Sequence, residues 1–176
     1  MFSKPFPALP GFYQTLFYRL EPISTLAAAL VIWFKPGAAW FYHQLIPSTD
    51  VAPTTLEPRA EMAIWQLGNC FFLLAMMSPV LFRTAREALA NDLVAQERIV
   101  GAALFVLAVA DVSRDMAVTL VALPPHLRFN FLEWNSATHG NITVVIVLLA
   151  TRISWFLGIG RTSYYYGQFK TKVKAS

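Results

Sequence analysis

Asp111, Arg114 and Asp115 stand within five positions of one another inside VLAVADVSRDMAVTLVAL, residues 106–123, a stretch that is otherwise almost wholly apolar or small. On a helix the two aspartates share a face at i and i+4, and Arg114, three residues after Asp111, can pair with it. Two further charges sit in apolar surroundings: Glu21 beside Pro22, and Arg152 within NITVVIVLLATRISWFLGIG. An ionised side chain at the centre of a bilayer costs at least about 2.5–3.5 kcal/mol on insertion scales, so such groups turn inward, pair or change protonation state. Of these five, three are acids and two are arginines. Arginine keeps its proton, so the surplus acid is expected to keep its own at neutral pH. A protonated carboxyl beside an apolar cavity is a general acid, and Asp115 is preferred over Asp111 and Glu21 as the holder of that proton. The same charges could instead clip helices together without chemistry, and the residue types alone leave both readings open.

The elements that must position these groups follow from composition. With 56% hydrophobic and 14% charged residues and a mean hydropathy of +0.50, the chain is too apolar for an ordinary soluble domain. Its 176 residues suit one compact transmembrane domain. The expected fold is all-α, an integral membrane four-helix bundle with spans at about 12–34, 61–82, 99–123 and 140–159 and a basic tail at 160–176. The first span needs an argument. Only 12 residues separate Pro22 from Lys35, about 18 Å of helix against a core of about 30 Å. The helix is therefore expected to begin near Phe12, with Glu21 and a Pro22 kink inside the membrane; the alternative is a helix starting at Pro22 with Glu21 at its cap.

Between spans, IPSTDVAPTTLEPRAE carries three prolines and reads as irregular. The apolar stretch 39–46 before it is expected to be re-entrant or interfacial. The segment RTAREALANDLVAQER, 83–98, is polar and helix-compatible, expected as a solvated connector, and PPHLRFNFLEWNSATHG suits the membrane interface. The N-terminal MFSKPFPALPG, broken by prolines, does not have the form of a cleaved signal and is expected to lie along the membrane surface.

Depth can be compared by counting from the ends of antiparallel spans. Asp111 is 12 residues from Leu123 and Arg152 is 12 from Gly140, so the two lie at one level. Asp115 and Asn69 share a second level, 8 residues from Leu123 and Glu61. Glu21 falls near the middle of the first span. The polar groups of all four helices thus converge on the bundle centre, with Gln66 and Asn69, i and i+3, as hydrogen-bonding support. Among the aromatic residues, Trp33, Trp65, Phe105, Trp134 and Trp155 are candidates to line a substrate cavity, where ring faces would stabilise a cation.

Other classes are disfavoured. Cys70 is the only cysteine, which excludes an intramolecular disulfide and a two-cysteine metal site. The three histidines, His43, His126 and His139, show no ligand spacing, so no metal site and no cofactor are expected. The net charge of +4 is scattered, without the aromatic interleaving of a nucleic-acid surface. Lys4, Arg83, Arg86, Arg98, Arg161, Lys170, Lys172 and Lys174 fall on the side of the termini, against Lys35, Arg59 and Arg128 on the other, which places both termini in the cytosol. Lys172 and Lys174, fifth and third from the end, resemble a dilysine retrieval signal, and the expected location is the endoplasmic reticulum membrane.

Glu21-Pro22, ADVSRD and EWNSATHGNITVVIVLLATRISWFLGIG resemble a group of small four-span fungal membrane proteins carrying a domain of unknown function, over roughly Leu20 to Gly160. In size, span count and buried acids the chain also resembles the membrane-bound terpene cyclases of fungal meroterpenoid pathways. That resemblance implies protonation of an epoxide or terminal alkene of a prenylated, bilayer-dissolved isoprenoid and cyclisation of the resulting cation. Asp111, Asp115 and Glu21 would supply the acid, with Arg114 and Arg152 holding the remaining carboxylates. A more distant similarity is to sterol isomerases, whose intramembrane histidine this chain lacks. The rival expectation is a non-catalytic scaffold or lipid-binding helper.

Overall fold

The computed structural model describes residues 5–166, apart from the side chains of Arg114 and Asp115. The described residues form helices and connecting turns, with no strand among them. Four helices are long and apolar enough to cross a membrane: α1, Phe12–Trp33; α3, Pro58–Ala88; α4, Leu93–Ala122; and α5, Ser136–Phe156. A short helix α2, Ala38–Gln44, lies between the first two. The chain is an all-α, four-span membrane bundle.

Each start has a local cause. Gly11, at φ 55°, turns the chain into α1, whose Thr15 N–H reaches the Gly11 carbonyl at 3.2 Å. Glu57 caps α3 by accepting from the N–H groups of Arg59 and Ala60, with Pro58 at the first helical position. Asp92 accepts from Ala95 N–H at 2.9 Å at the head of α4. Asn135 accepts from Thr138 N–H at 2.9 Å to cap α5, while its amide donates to the Gln44 carbonyl at 2.8 Å. That one side chain fastens α5 to α2.

The helix α1 is continuous through Pro22, as the length argument requires. A π-turn at Leu16–Leu20 widens the winding just before the proline, relieving the clash its ring would make with the preceding turn. Two more π-turns occur, at Asp111–Ala117 in α4 and Gly140–Val144 in α5. Glu21 follows the first and Asp111 begins the second.

The most extensive helix packing is between α1 and α3. It closes at Gly68, where an added Cβ would lie 2.9 Å from the Trp33 indole nitrogen. A core of Phe6, Leu9, Phe17, Phe82, Leu104 and Trp155 fills the end of the bundle that carries the termini. A smaller cluster of Leu123, Leu127, Trp134 and Ile142 closes the other end. Outward faces remain apolar: Phe105, Val106, Val118 and Val121 are all more than half exposed. Lipid is the solvent that such a surface requires.

Two segments pack more deeply than the sequence suggests. In the N-terminal segment, Phe6, Ala8 and Leu9 are buried in the core, where they plug the terminal end of the bundle. Its prolines permit a compact turn, with Leu9 N–H bonded to the Phe6 carbonyl at 3.0 Å. The segment 83–98 is helical and mostly exposed on either side of a short turn, as a polar connector would be, but not throughout. The helix α3 continues to Ala88 and α4 begins at Leu93, leaving a four-residue turn, and Gln96 and Glu97 are fully buried.

Candidate functional site

Of the ionisable residues of the spans, Glu21 and Asp111 meet at Arg152, while Arg19, also inside the first span, is exposed. Its guanidinium forms ion pairs with Glu21 through Nη2 and with Asp111 through Nη1. The arginine side chain is wholly buried, Asp111 nearly so, and Glu21 is 14% exposed. One cation from α5 thus joins two carboxylates from α1 and α4. Below it lies the ring of Phe17, 5.3 Å from the guanidinium carbon, a cation–π contact that shields the charge from the bundle interior. The Nε–H of Arg152 is buried and has no hydrogen-bond acceptor among the described residues. A donor fixed by two carboxylates, with one N–H that meets no acceptor among the described residues, can take an oxygen acceptor from a bound molecule.

The stripe that carries Asp111 along α4 is legible in its spacing: Glu97, Val100, Gly101, Leu104, Leu107 and Asp111 are all buried, at the i, i+3, i+4, i+7 intervals of one helix face. Glu97 is a second buried acid on that stripe, two heptads before Asp111. It pairs with Arg161 at 2.8 Å, both side chains fully buried. Its carboxylate also accepts the backbone N–H groups of Tyr164, Tyr165 and Tyr166. Arg161 lies 4.0 Å over the Trp155 ring and donates to the Trp155 carbonyl at 2.8 Å. The sequence reading assigned Arg161 to the solvated basic side and passed over Glu97. The available signal was the position of Glu97 on the apolar stripe of α4.

The remaining site candidates are placed differently. Arg114 and Asp115 have helical backbone within the π-turn that begins at Asp111, and their side chains lie outside the described residues. Gln66 and Asn69 are exposed. The inward face of α3 runs through Ile64, Gly68, Ala75, Ser78 and Phe82, and two residues beyond Ile64 and one beyond Gly68 fall off it, so neither amide joins Arg152. Trp155 is buried, its indole N–H donating to the Ala8 carbonyl at 2.9 Å and its ring lying under Arg161, so it belongs to the second ion-pair cluster. Phe105 is 62% exposed on the outer face of α4. Trp134 closes the far cluster, its N–H on the Leu127 carbonyl at 2.7 Å. Trp33 and Trp65 line a cleft of about 260 Å³ at the end of α1 and the start of α3. Trp33 is 12 residues beyond Glu21, about 18 Å along the helix. Phe17, absent from the sequence candidates, is an aromatic that touches the charged centre.

A buried acid–arginine–acid clasp on an apolar four-span bundle defines a small integral membrane protein with a polar heart. The chain belongs to the family described as Domain of unknown function (DUF7704), whose model matches residues 6–162. No curated protein matches it, and no solved structure does.

Proposed function

We propose that the protein is a membrane-embedded, acid-initiated cyclase of a prenylated isoprenoid substrate. The observation that carries this reading is Arg152, buried and joined to Glu21 and Asp111, with its Nε–H lacking an acceptor among the described residues. An epoxide oxygen is a ligand for that N–H. A carboxyl of the set Glu21, Asp111 and Asp115 gives its proton to the epoxide oxygen as the adjacent C–O bond breaks and an alkene π-pair of the prenyl chain attacks the carbon. A terminal alkene would take the proton at carbon instead, a step that demands a stronger acid. The cation is quenched when a carboxylate of the set removes a proton from carbon. The acid is then restored, the substrate is isomerised, and no metal or organic cofactor takes part.

Arg152 keeps the conjugate carboxylate in place, and Arg114 assists from the adjacent turn. The substrate enters laterally from the bilayer, where the exposed apolar faces of the spans meet lipid. The basic residues on the terminal side, together with Lys172 and Lys174, support cytosolic termini and residence in the endoplasmic reticulum. Both lysines lie outside the described residues.

A second reading has its own support, since Arg152 pairs directly with both carboxylates, as a structural clasp would. The test is expression of the full chain in a host supplied with linear prenylated epoxides and alkenes, with products resolved by mass and ring analysis. Cyclised product that disappears in Asp111→Asn at undiminished folded protein level supports the cyclase. Absence of any ring product, with protein level falling in step with each substitution, supports the clasp.

A further inference from the structure

The cleft of about 260 Å³ opposite the termini has a chemistry of its own. It lies between the last turn of α1, the turn into α2, the segment at 54–56 and the first turns of α3. Trp33, Phe34 and Trp65 supply aromatic surface, Glu61 a carboxylate and Thr54 and Thr55 hydroxyls. No lysine or arginine lines it among the described residues. Trp65 follows Glu61 by four residues on α3, so the indole and the carboxylate stand on one face.

The aromatic wall is fixed in place. Trp33 packs on Phe72 with centroids 5.3 Å apart, and its indole lies against Gly68, where any side chain would collide with it. Gly37, at φ 101°, returns its N–H to the Val31 carbonyl at 3.0 Å, which folds the turn over the cleft. Two electron-rich indoles, a carboxylate and no positive side chain form an environment that attracts a cation with an apolar skin and repels an anion. Trp33 ends α1, so the cleft opens at the depth where lipid headgroups lie.

We infer that this cleft binds a trimethylammonium group. The volume accommodates a choline moiety, the indoles contact its methyl groups, Glu61 balances its charge, and the threonine hydroxyls face the attached phosphate. The ligand is a phosphocholine, presented either by a membrane lipid or as a free headgroup. The site lies about 18 Å along α1 from Glu21, and the inference stands independently of the cyclase.

The test is native mass spectrometry of the full chain in detergent, supplied in turn with phosphatidylcholine, phosphatidylethanolamine, phosphatidylglycerol and soluble phosphocholine. Retention of phosphatidylcholine above the other two lipids is expected. Trp65→Leu and Glu61→Gln, both at exposed positions, weaken it about tenfold each, and Trp33→Phe, which keeps a smaller ring, less. Displacement of the lipid by soluble phosphocholine identifies the free headgroup as a ligand, whereas lipid retained against it identifies the membrane as the source; either supports the ammonium site. Equal retention of the three lipids, or phosphatidylcholine binding unchanged in both Trp65→Leu and Glu61→Gln, overturns it.

Discussion

Glu97 and Arg161 meet at 2.8 Å with no part of either side chain exposed, and they repeat, two heptads along α4, the pairing of Asp111 with Arg152. The helix α4 therefore presents two buried carboxylates on one face, about 21 Å apart. Each is met by an arginine, one from α5 and one from the segment just after it. Trp155 supports the second pair, stacked under Arg161 and bonded to the N-terminal segment at Ala8. Glu97 also draws the backbone of Tyr164 to Tyr166 onto α4, so this cluster closes the end of the bundle.

Removing one partner from that closure leaves the other charged and buried. Glu97→Ala is expected to destabilise the protein by about 3–5 kcal/mol, because a lone buried charge loses its compensation. Glu97→Leu combined with Arg161→Met removes both charges and is expected to lose less than either single change. Unfolding midpoints in mixed detergent, for the singles and the double, measure the difference. A double variant as unstable as the sum of the singles would contradict the pairing.

Gly101 is a contact point on the same stripe. A Cβ there would lie 2.2 Å from the Tyr166 ring, so Gly101→Ala pushes the ring away and is expected to cost about 1–3 kcal/mol. Tyr166→Ala makes room, and in that background Gly101→Ala is expected to be close to neutral. Gly140, where nothing lies within 4 Å of an added Cβ, is the control: Gly140→Ala leaves stability unchanged or slightly raised. Thermal unfolding in detergent resolves the three.

The contrast between these two clusters shows what the sequence could convey. That Asp111 and Arg152 lie at one level followed from counting, because helical rise is fixed and each residue lies 12 positions from the far end of its span; that the two pair did not, since Arg114 was the nearer partner for Asp111. Glu21 joined them for the same reason, once the length of α1 forced its start upstream of Pro22. Glu97 sits in a run of charges near a helix start, where solvent is the default, and its partner lies 64 residues later in a turn. No local pattern links the two, although the spacing of Glu97 from Val100, Gly101 and Leu104 marks it as core-facing. The burial of Phe6, Ala8 and Leu9 was equally hidden, since a proline-rich segment carries no periodicity. Gln66 and Asn69 match the polar level in depth, and depth does not fix which face of α3 a residue occupies; both are exposed.

Arg152 is the hub of the charged centre, and its replacement tests the electrostatics apart from any chemistry. Arg152→Met leaves two carboxylates facing an apolar interior and is expected to lose about 3–5 kcal/mol of stability. Glu21→Gln with Asp111→Asn in the Arg152→Met background removes the stranded charge and is expected to recover most of that loss. Folded fraction by fluorescence-detected size exclusion provides the measurement. A triple variant no better than Arg152→Met would mean that packing of the guanidinium over Phe17, rather than charge balance, holds the centre together.

The decisive comparison separates acid from clasp at single residues. Asp111→Asn and Glu21→Gln keep shape and a hydrogen-bonding group facing Arg152 but cannot donate a carboxyl proton. If the carboxyl is the acid, product formation from a prenylated epoxide is expected to fall by about 10²–10⁴-fold in the variant that removes the donor. In the other variant, which only loosens positioning, the loss is expected to be smaller, and folded protein is expected to stay near its original level in both. Asp115→Asn completes the set and identifies which of the three acids delivers the proton. Equal, modest losses of product that track folded protein across all three substitutions would assign the centre to structure alone. A loss concentrated in one of them, at constant folded level, assigns it the acid's role.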